Sequence, residues 1–434
     1  MKNIIYGLLL GLLIAGCDNK QHYSKMDTYL DTLEKNNAFM GNVSISRNGK
    51  EFYSKSVGFK SVENNIKNTH QTQFCIGSIS KSFTAALIFK AQEEGLVDIN
   101  TTLDNYFPDV PNSKIITLDQ MLSHQSGIYN FTDSNFSNWN TKNMTRHEIL
   151  DIIYSGKPSF DPGVQIGYSN TNYVLLSYIL EDIYKKSFSE ILKIKITDPL
   201  KLEGTYFGSK TDNLSDSYNY SNGWKMQGYT SPSVAIGAGS IISTADDLNK
   251  FYHSLFNEEI VSSLSLSKMI EFKNNTGRGL FVFPFYDKLC YGHTGGIDGF
   301  NSISLYFPED KVGYTSISNG LNFNMNDITI AMLSDVYNKD YEIPVFNTNI
   351  VLTSADLDKY LGVYSCEQLP IKLTFTKKHN VLIGQGTNQP PFYLECFKEN
   401  SFKYTAAGIV IEFNPENNTL VLKQGGGAFL MKRE

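Results

Sequence analysis

Ser78-Ile79-Ser80-Lys81, inside the run Phe74-Cys75-Ile76-Gly77-Ser78, places a hydroxyl and an amine on one helix face, one turn apart. Apolar residues at Ile79, Phe83 and Leu87 continue that face, and Glu93-Glu94-Gly95 supplies a stop, so a helix of about four turns is expected with Ser78 at its N-terminus. There the free backbone N–H groups favour an alkoxide, and a desolvated Lys81 gives up its proton more readily than an amine in water. This is the chemistry of an activated serine nucleophile. The spacing alone does not identify a site, because it recurs at Ser265-Leu266-Ser267-Lys268.

Two further strings follow in order. Tyr168-Ser169-Asn170 lies between Phe160-Asp161-Pro162-Gly163 and Tyr173, and His293-Thr294-Gly295 lies in Tyr291-Gly292-His293-Thr294-Gly295-Gly296. A second Tyr-Ser-Asn string at 220–222 sits among turn-forming residues with no amphipathic helix after it, whereas Asn170 leads into Asn172-Tyr173-Val174-Leu175-Leu176. The copy at 168 is therefore the candidate.

With those three elements in order, the chain resembles the penicillin-recognising serine hydrolases: class C β-lactamases, related DD-peptidases, D-aminopeptidases and esterases. The likeness extends through Met121-Leu122-Ser123-His124-Gln125-Ser126-Gly127, Gly237-Ala238-Gly239-Ser240 and Ser243-Thr244-Ala245-Asp246-Asp247-Leu248, over roughly residues 38 to 340. The resemblance implies an acyl-enzyme on Ser78, with Lys81 and Tyr168 sharing the proton traffic, either neutral Lys81 or a Tyr168 phenolate serving as base. It implies substrate contacts from Asn170, His293 and Thr294, and an oxyanion hole from the backbone N–H groups of Ser78 and Gly296. The expected substrates are D-amino-acid-containing peptides or related amides of the cell envelope, with an esterase or β-lactamase as the alternative. A penicillin-binding sensor or non-catalytic scaffold is the alternative of another class.

His293 departs from the lysine usual in β-lactamases, and near neutrality a histidine supplies that positive charge only in part. Related DD-peptidases place an arginine shortly after Gly-x-Gly-Leu to clamp a carboxylate. Here Gly277-Arg278-Gly279-Leu280 is followed by Phe281, so Arg278 is displaced and Phe281 is expected to wall a site for a neutral or hydrophobic acyl group. No glutamate takes the deacylating role it has in class A enzymes.

The elements that must carry these residues follow the same resemblance: an α/β (α+β) domain with an antiparallel sheet flanked by N- and C-terminal helices, a helical subdomain inserted, and the site in the cleft between them. Asn42 to Phe59, broken by Asn48-Gly49, reads as a type I′ hairpin, and a second hairpin brackets Pro308-Glu309-Asp310. Strands are expected at Leu280 to Leu289 and Asn301 to Phe307, and helices with loops over roughly 90 to 230. From about Thr353 short apolar runs (371–375, 381–383, 402–404, 409–413, 420–422, 429–431) alternate with turn residues. They predict a separate all-β domain resembling a small lipocalin-like barrel, an open sandwich leaving the same pattern. Gly425-Gly426-Gly427 reads as a tight turn. The expected divisions are 1–16, 17–37 (tether and first helix), 38–345 (hydrolase) and 346–434 (β-domain).

The chain has 434 residues, 41% hydrophobic and 13% aromatic, ample for packed cores. Its net charge of −6, with no basic run, excludes a nucleic-acid partner, and no phosphate-cradling glycine loop is present. The seven histidines are scattered without ligand-like pairing, so neither a metal nor a cofactor is expected. At the start, Lys2 precedes an apolar stretch from Ile4 to Leu13 that meets Ile14-Ala15-Gly16-Cys17. This resembles a bacterial lipoprotein signal, cleaved before Cys17, whose acylation would anchor the chain to the membrane, facing the periplasm or exterior. Beyond residue 16, Cys75, Cys290, Cys366 and Cys396 read as buried thiols, with Cys366–Cys396 the simplest bridge if one forms.

Overall fold

The computed structural model describes residues 23–434 except 134–135, 209–210, 222, 347–349, 351, 388, 405–406 and 425–426. Cys17, its apolar leader, and Gly425-Gly426 lie outside the described residues. In chain order, α1 (Ser24–Lys35) leads into β1 (Phe39–Arg47) and β2 (Lys50–Val57). Then come α2 (Ser80–Glu93), α3 (Asn170–Tyr184), α4 (Pro232–Gly239) and α5 (Ala245–Phe256). The strands β3 (Phe281–Phe285), β4 (Lys288–Ile297), β5 (Phe300–Phe307) and β6 (Val312–Leu321) follow, and α6 (Met325–Val336) closes the region.

Asn48 and Gly49 take φ of 52° and 71°, the left-handed pair that a type I′ turn needs, so β1 folds back on β2 as expected. Phe307 pairs with Val312 across the second expected hairpin. The main sheet runs β3-β4-β5-β6-β1-β2, antiparallel throughout that path. One expectation fails: Leu280 to Leu289 is two strands, reversed at Tyr286, whose φ is 52°. Tyr-Asp at that reversal lacks the glycine or asparagine that marks most such turns, and β3 tolerates Pro284 because it is an edge strand.

Every residue of β1 except Arg47 is buried, although its polar and apolar residues alternate. The apolar set, Phe39, Val43 and Ile45, packs under α1 and α6 with Leu30, Leu33, Ile328 and Met332. Burying such a side chain contributes about 1.5–3 kcal/mol. The polar set faces α5, where Asn249 Nδ2 donates to the Ser44 carbonyl and Oγ at 3.0 Å and Thr315 Oγ1 donates to Asn249 Oδ1 at 2.8 Å. The polar face is thus buried with Ser44 and Thr315 tied to Asn249, while Asn42 Oδ1 and Ser46 Oγ are buried without a hydrogen-bond partner.

The helix after Ser78 is buried nearly all round, from Ser80 to Phe89 and at Ala91, rather than on a single stripe. Phe83 stacks on Phe251 of α5 with centroids 3.7 Å apart, so α2 is wedged between the sheet and the helical lobe. The C-terminal region forms a closed barrel of eight strands: β7 (Gly362–Ser365), β8 (Leu373–Lys378), β9 (Val381–Gly386), β10 (Phe392–Lys398), β11 (Ser401–Tyr404), β12 (Ile409–Asn414), β13 (Thr419–Gln424) and β14 (Gly427–Arg433). Tyr364 pairs with Arg433 and Ser365 with Lys432, joining β7 to β14 and closing the barrel; an open sandwich would lack that ladder. Its own core includes Tyr364, Phe375, Phe413 and Met431. Two strands, β7 and β10, were not expected: one is only four residues long, and the other carries Glu395 and Lys398 among its apolar residues. No disulfide joins Cys75, Cys290, Cys366 or Cys396.

Candidate active site

Ser78 sits in a single 3-10 turn, Gly77–Ile79, that feeds α2. Gly77 adopts φ +53°, and a Cβ built there would lie 2.7 Å from the Gly296 nitrogen; one built on Gly295 would meet the Ile76 carbonyl oxygen at 2.0 Å. Both glycines therefore let β4 lie directly against the nucleophile's turn. Ser302 Oγ donates to the Ile76 carbonyl at 2.9 Å and fastens that contact.

Lys81, one turn into α2, is fully buried. Its Nζ lies 2.9 Å from Ser78 Oγ and donates to Asn170 Oδ1 at 2.8 Å and to the Ala238 carbonyl at 2.6 Å. No carboxylate compensates it, and burial holds its pKa well below the usual lysine range. In the neutral form its two hydrogens serve Asn170 and Ala238, leaving the lone pair directed at the Ser78 hydroxyl. Tyr168 OH donates to Ser78 Oγ at 2.8 Å from the other side. The residue is 42% exposed, and desolvation around the phenol raises its pKa above the ordinary value despite the opposing bond from Ser78. Both directions favour a proton on the phenol and an amine that gives its proton up readily.

The Ala238 carbonyl is available because α4 is broken at Ile236, which takes φ 34° and ψ −128°. That conformation is costly for a β-branched residue. It turns the next two carbonyls toward α2, where Thr84 Oγ1 donates to Gly237 at 2.8 Å and Lys81 to Ala238. Asn170 is oriented from its other end: Nδ2 donates to Thr132 Oγ1 at 3.0 Å, and its backbone N–H to Asn130 Oδ1 at 2.9 Å.

The structure brings Ser78, Lys81, Tyr168 and Asn170 together, and Gly296 borders the same cavity. His293 and Thr294 stand differently. His293 is 2% exposed, its Nδ1 lies 2.5 Å from the Thr294 carbonyl, and Phe281 packs edge-on against its ring at 4.8 Å. Burial and the nearby Lys81 depress its pKa to about 3, so it is a neutral imidazole and not the partial cation expected from its ordinary range. Thr294 is exposed on the same strand. Phe281 is occupied with His293, and the aromatic wall of the cavity is supplied instead by Phe131 and Phe136. Arg278 is pinned by Asp119, Nε to Oδ1 at 2.5 Å and Nη2 to Oδ2 at 2.9 Å, and donates to the Lys268 carbonyl. It offers no clamp to a substrate.

His124, in the flanking string Met121–Gly127, also belongs to the site, though no spacing in the sequence marks it. Its buried ring stacks on Tyr168 with centroids 4.3 Å apart, and its Nδ1 accepts from the Ser169 N–H at 3.2 Å, so it fixes the phenol. Burial, Lys81 and His293 all lower its pKa. The other Ser-x-x-Lys string is structural: Ser265 Oγ donates to Glu93 at 2.5 Å near the start of a short helix. Among the described residues no group of three or more His, Cys, Asp or Glu side chains is placed to hold a metal ion, and no helix is long and apolar enough to cross a membrane.

The cavity beside Ser78 has a volume of about 230 Å³. Residues 27–338 match the family model described as Beta-lactamase. The chain is 32% identical over 301 residues to a teichoic acid D-alanine hydrolase of Staphylococcus aureus (strain MRSA252), covering 67% of this chain and 71% of that protein. A D-amino acid amidase from Ochrobactrum anthropi SV3, solved with L-phenylalanine amide, superposes with a TM-score of 0.65 at 24% identity, over 72% of this chain and 97% of that one. The octameric penicillin-binding protein homologue from Pyrococcus abyssi does so with a TM-score of 0.67 at 23% identity, over 94% and 99%. A serine at the head of a buried helix, hydrogen-bonded to a buried lysine and a tyrosine, and a family match over residues 27–338 make one conclusion: this chain belongs to the beta-lactamase family and is a serine hydrolase.

Proposed function

We propose that this protein hydrolyses esters or amides of D-amino acids in the bacterial cell envelope through an acyl-enzyme on Ser78. In this reading Lys81 takes the Ser78 proton as the oxygen attacks the carbonyl, and the backbone N–H groups of Ser78 and Gly296 receive the oxyanion. Tyr168 then gives its proton to the departing alkoxide or amine and is reprotonated by Lys81. Water repeats the sequence to release the acid. The observation that carries this is the Ser78 hydroxyl held between a buried, uncompensated Lys81 and the Tyr168 phenol, at 2.9 and 2.8 Å.

The D-amino acyl substrate follows from the relatives' names, and the site narrows the choice among peptide, ester and amide. None of the described residues lining the cavity is cationic, His293 is neutral and Arg278 is engaged. A substrate that must present a carboxylate, as a peptide C-terminus or a β-lactam does, finds no partner for it, whereas esters and amides need none. Purified protein, offered D-alanine methyl ester, D-alaninamide, their L-forms, a D-alanyl-D-alanine peptide and a chromogenic cephalosporin, should turn over the D-ester or D-amide. Ser78→Ala should lose up to about a million-fold of that rate and the acyl adduct seen by intact mass. Equal rates in wild type and variant would remove Ser78 from the mechanism.

The same proposal places the enzyme on the outer side of the membrane, tethered through acylated Cys17. Cys17→Ala should move it from the membrane to the soluble fraction and abolish incorporation of a labelled fatty acid; unchanged fractionation would overturn the anchor.

A further inference from the structure

The turn between β4 and β5 is Asp298-Gly299, with φ of 53° and 95°. An Asp-Gly pair is a common way to close such a hairpin. Asp298, however, does more than turn the chain. It borders the cavity that holds Ser78, and it is the one charged residue among the described residues that line it. Its carboxylate is held by Thr230, just before α4: the Thr230 N–H donates to Oδ2 at 2.5 Å and Oγ1 donates to Oδ1 at 2.7 Å. Ser217 Oγ donates to its backbone carbonyl, so the turn is fixed at both ends. A carboxylate has about four lone-pair sites. Thr230 uses one on each oxygen, leaving acceptor capacity on both.

Asp298 is partly buried, and even partial burial of a carboxylate without a cation is costly. The groups acting on Asp298 are burial, which raises its pKa, and the Thr230 bonds, which lower it; no lysine, arginine or histidine is among them. The rest of the cavity is apolar or neutral, with Phe131, Phe136, Ile297 and Ala235 as walls. An anion in such a setting is matched by a ligand that brings its own positive charge.

We propose that Asp298 is the specificity residue for the acyl half of the substrate, pairing with the free α-ammonium of an aminoacyl ester or amide. This rests on the hydrolase reading above and deepens it: the acyl donor is a single amino acid with an unblocked amine rather than an internal residue of a peptide. Acylating that amine removes the charge and adds bulk against a fixed carboxylate, so N-blocked donors are refused.

The test uses three methyl esters followed by pH-stat: D-alanine, N-acetyl-D-alanine and propionate, the last lacking the amine altogether. Wild type should favour the free-amine ester. Asp298→Asn preserves the turn, since Asn-Gly forms it equally well, and keeps an acceptor for Thr230 while removing the charge. It should lower kcat/KM for D-alanine methyl ester by about 10- to 100-fold, mostly through KM, the range expected for a charge-assisted hydrogen bond. Its rate on methyl propionate, which also reports folding, should not change. Equal losses on all three esters, no loss on any, or a wild-type preference for the N-acetyl ester would each overturn the assignment while leaving Ser78 catalysis standing. No turnover of any ester together with no acyl adduct on Ser78 would bring down the hydrolase reading and this one with it.

Discussion

Replacing Gly77 by alanine probes the contact that, in the proposed mechanism, sets the oxyanion donors. The new Cβ would sit 2.7 Å from the Gly296 nitrogen and 3.1 Å from the Gly296 carbonyl carbon and oxygen, all backbone atoms, so no side chain can swing aside. Restoring an ordinary contact of 3.4 Å or more requires the serine turn and β4 to separate by about 0.7 Å. In the proposed mechanism those are the two segments whose N–H groups converge on one oxygen. A misplacement approaching 1 Å, or the loss of one such donor, costs about 100-fold or more in kcat. Alanine at φ +53° adds about 1–2 kcal/mol of backbone strain, which lowers Tm by about 3–6 °C in a domain of this size.

Gly296→Ala is the matched control. Nothing lies nearer to its built Cβ than the Phe300 carbonyl oxygen at 4.0 Å, and its φ is not in the left-handed region. Its Tm should stay at the wild-type value. Steady-state hydrolysis of D-alanine methyl ester, with Tm from calorimetry, separates strain from catalysis. If Gly77→Ala loses stability but keeps its kcat, the close approach of turn and strand is not what builds the oxyanion site.

Three further outcomes follow from the charges around Ser78. His293 has a folded-state pKa near 3 against an ordinary 6.5, so between those values the unfolded chain binds a proton that the native chain does not. Stability contributed by His293 is complete above pH 6.5 and declines on acidification by up to about 1.4 kcal/mol per pH unit; denaturation of His293→Asn across pH 4–7 should show a shallower slope, and identical slopes would exclude this source. The pH–rate profile should have an acid limb where Lys81 gains its proton and no alkaline limb from Tyr168 below the ordinary phenol range; an alkaline limb below that range that vanishes in Tyr168→Phe would identify a phenolate base instead. Arg278→Gln strands the half-buried Asp119 and should cost about 3 kcal/mol in denaturant titrations while leaving KM for D-alanine methyl ester unchanged; a raised KM would return Arg278 to the substrate.

What could be read from the sequence, and what could not, divides along the line between side chains and backbone. Ser78, Lys81 and Tyr168 carry their chemistry in their own atoms, and helical spacing or a following apolar run ties each to a local element. The hairpins at Asn48-Gly49 and Pro308-Glu309-Asp310 were legible because turn residues announce themselves. The reversal at Tyr286 was not, since its left-handed φ falls on a residue that turn chemistry does not single out.

The second proton acceptor of Lys81 is a carbonyl whose direction depends on the distorted torsions of Ile236, and alanine at 238 says nothing about it. His124 needed more than its own string, because its role is a stacking contact with a residue 44 positions later. His293 shows the reverse case, in which residue type suggests a partial charge and only depth decides against it. A motif fixes which groups are present, whereas burial decides how readily each is charged, and here burial lowers the pKa of His124, His293 and Lys81 alike. Burial lowers all three, Lys81 lowers both histidines and His293 lowers His124, so the pocket disfavours the protonated form of each. The remaining charge at the cavity is then the carboxylate of Asp298, which leaves an incoming ammonium as the counterpart that the pocket itself does not supply.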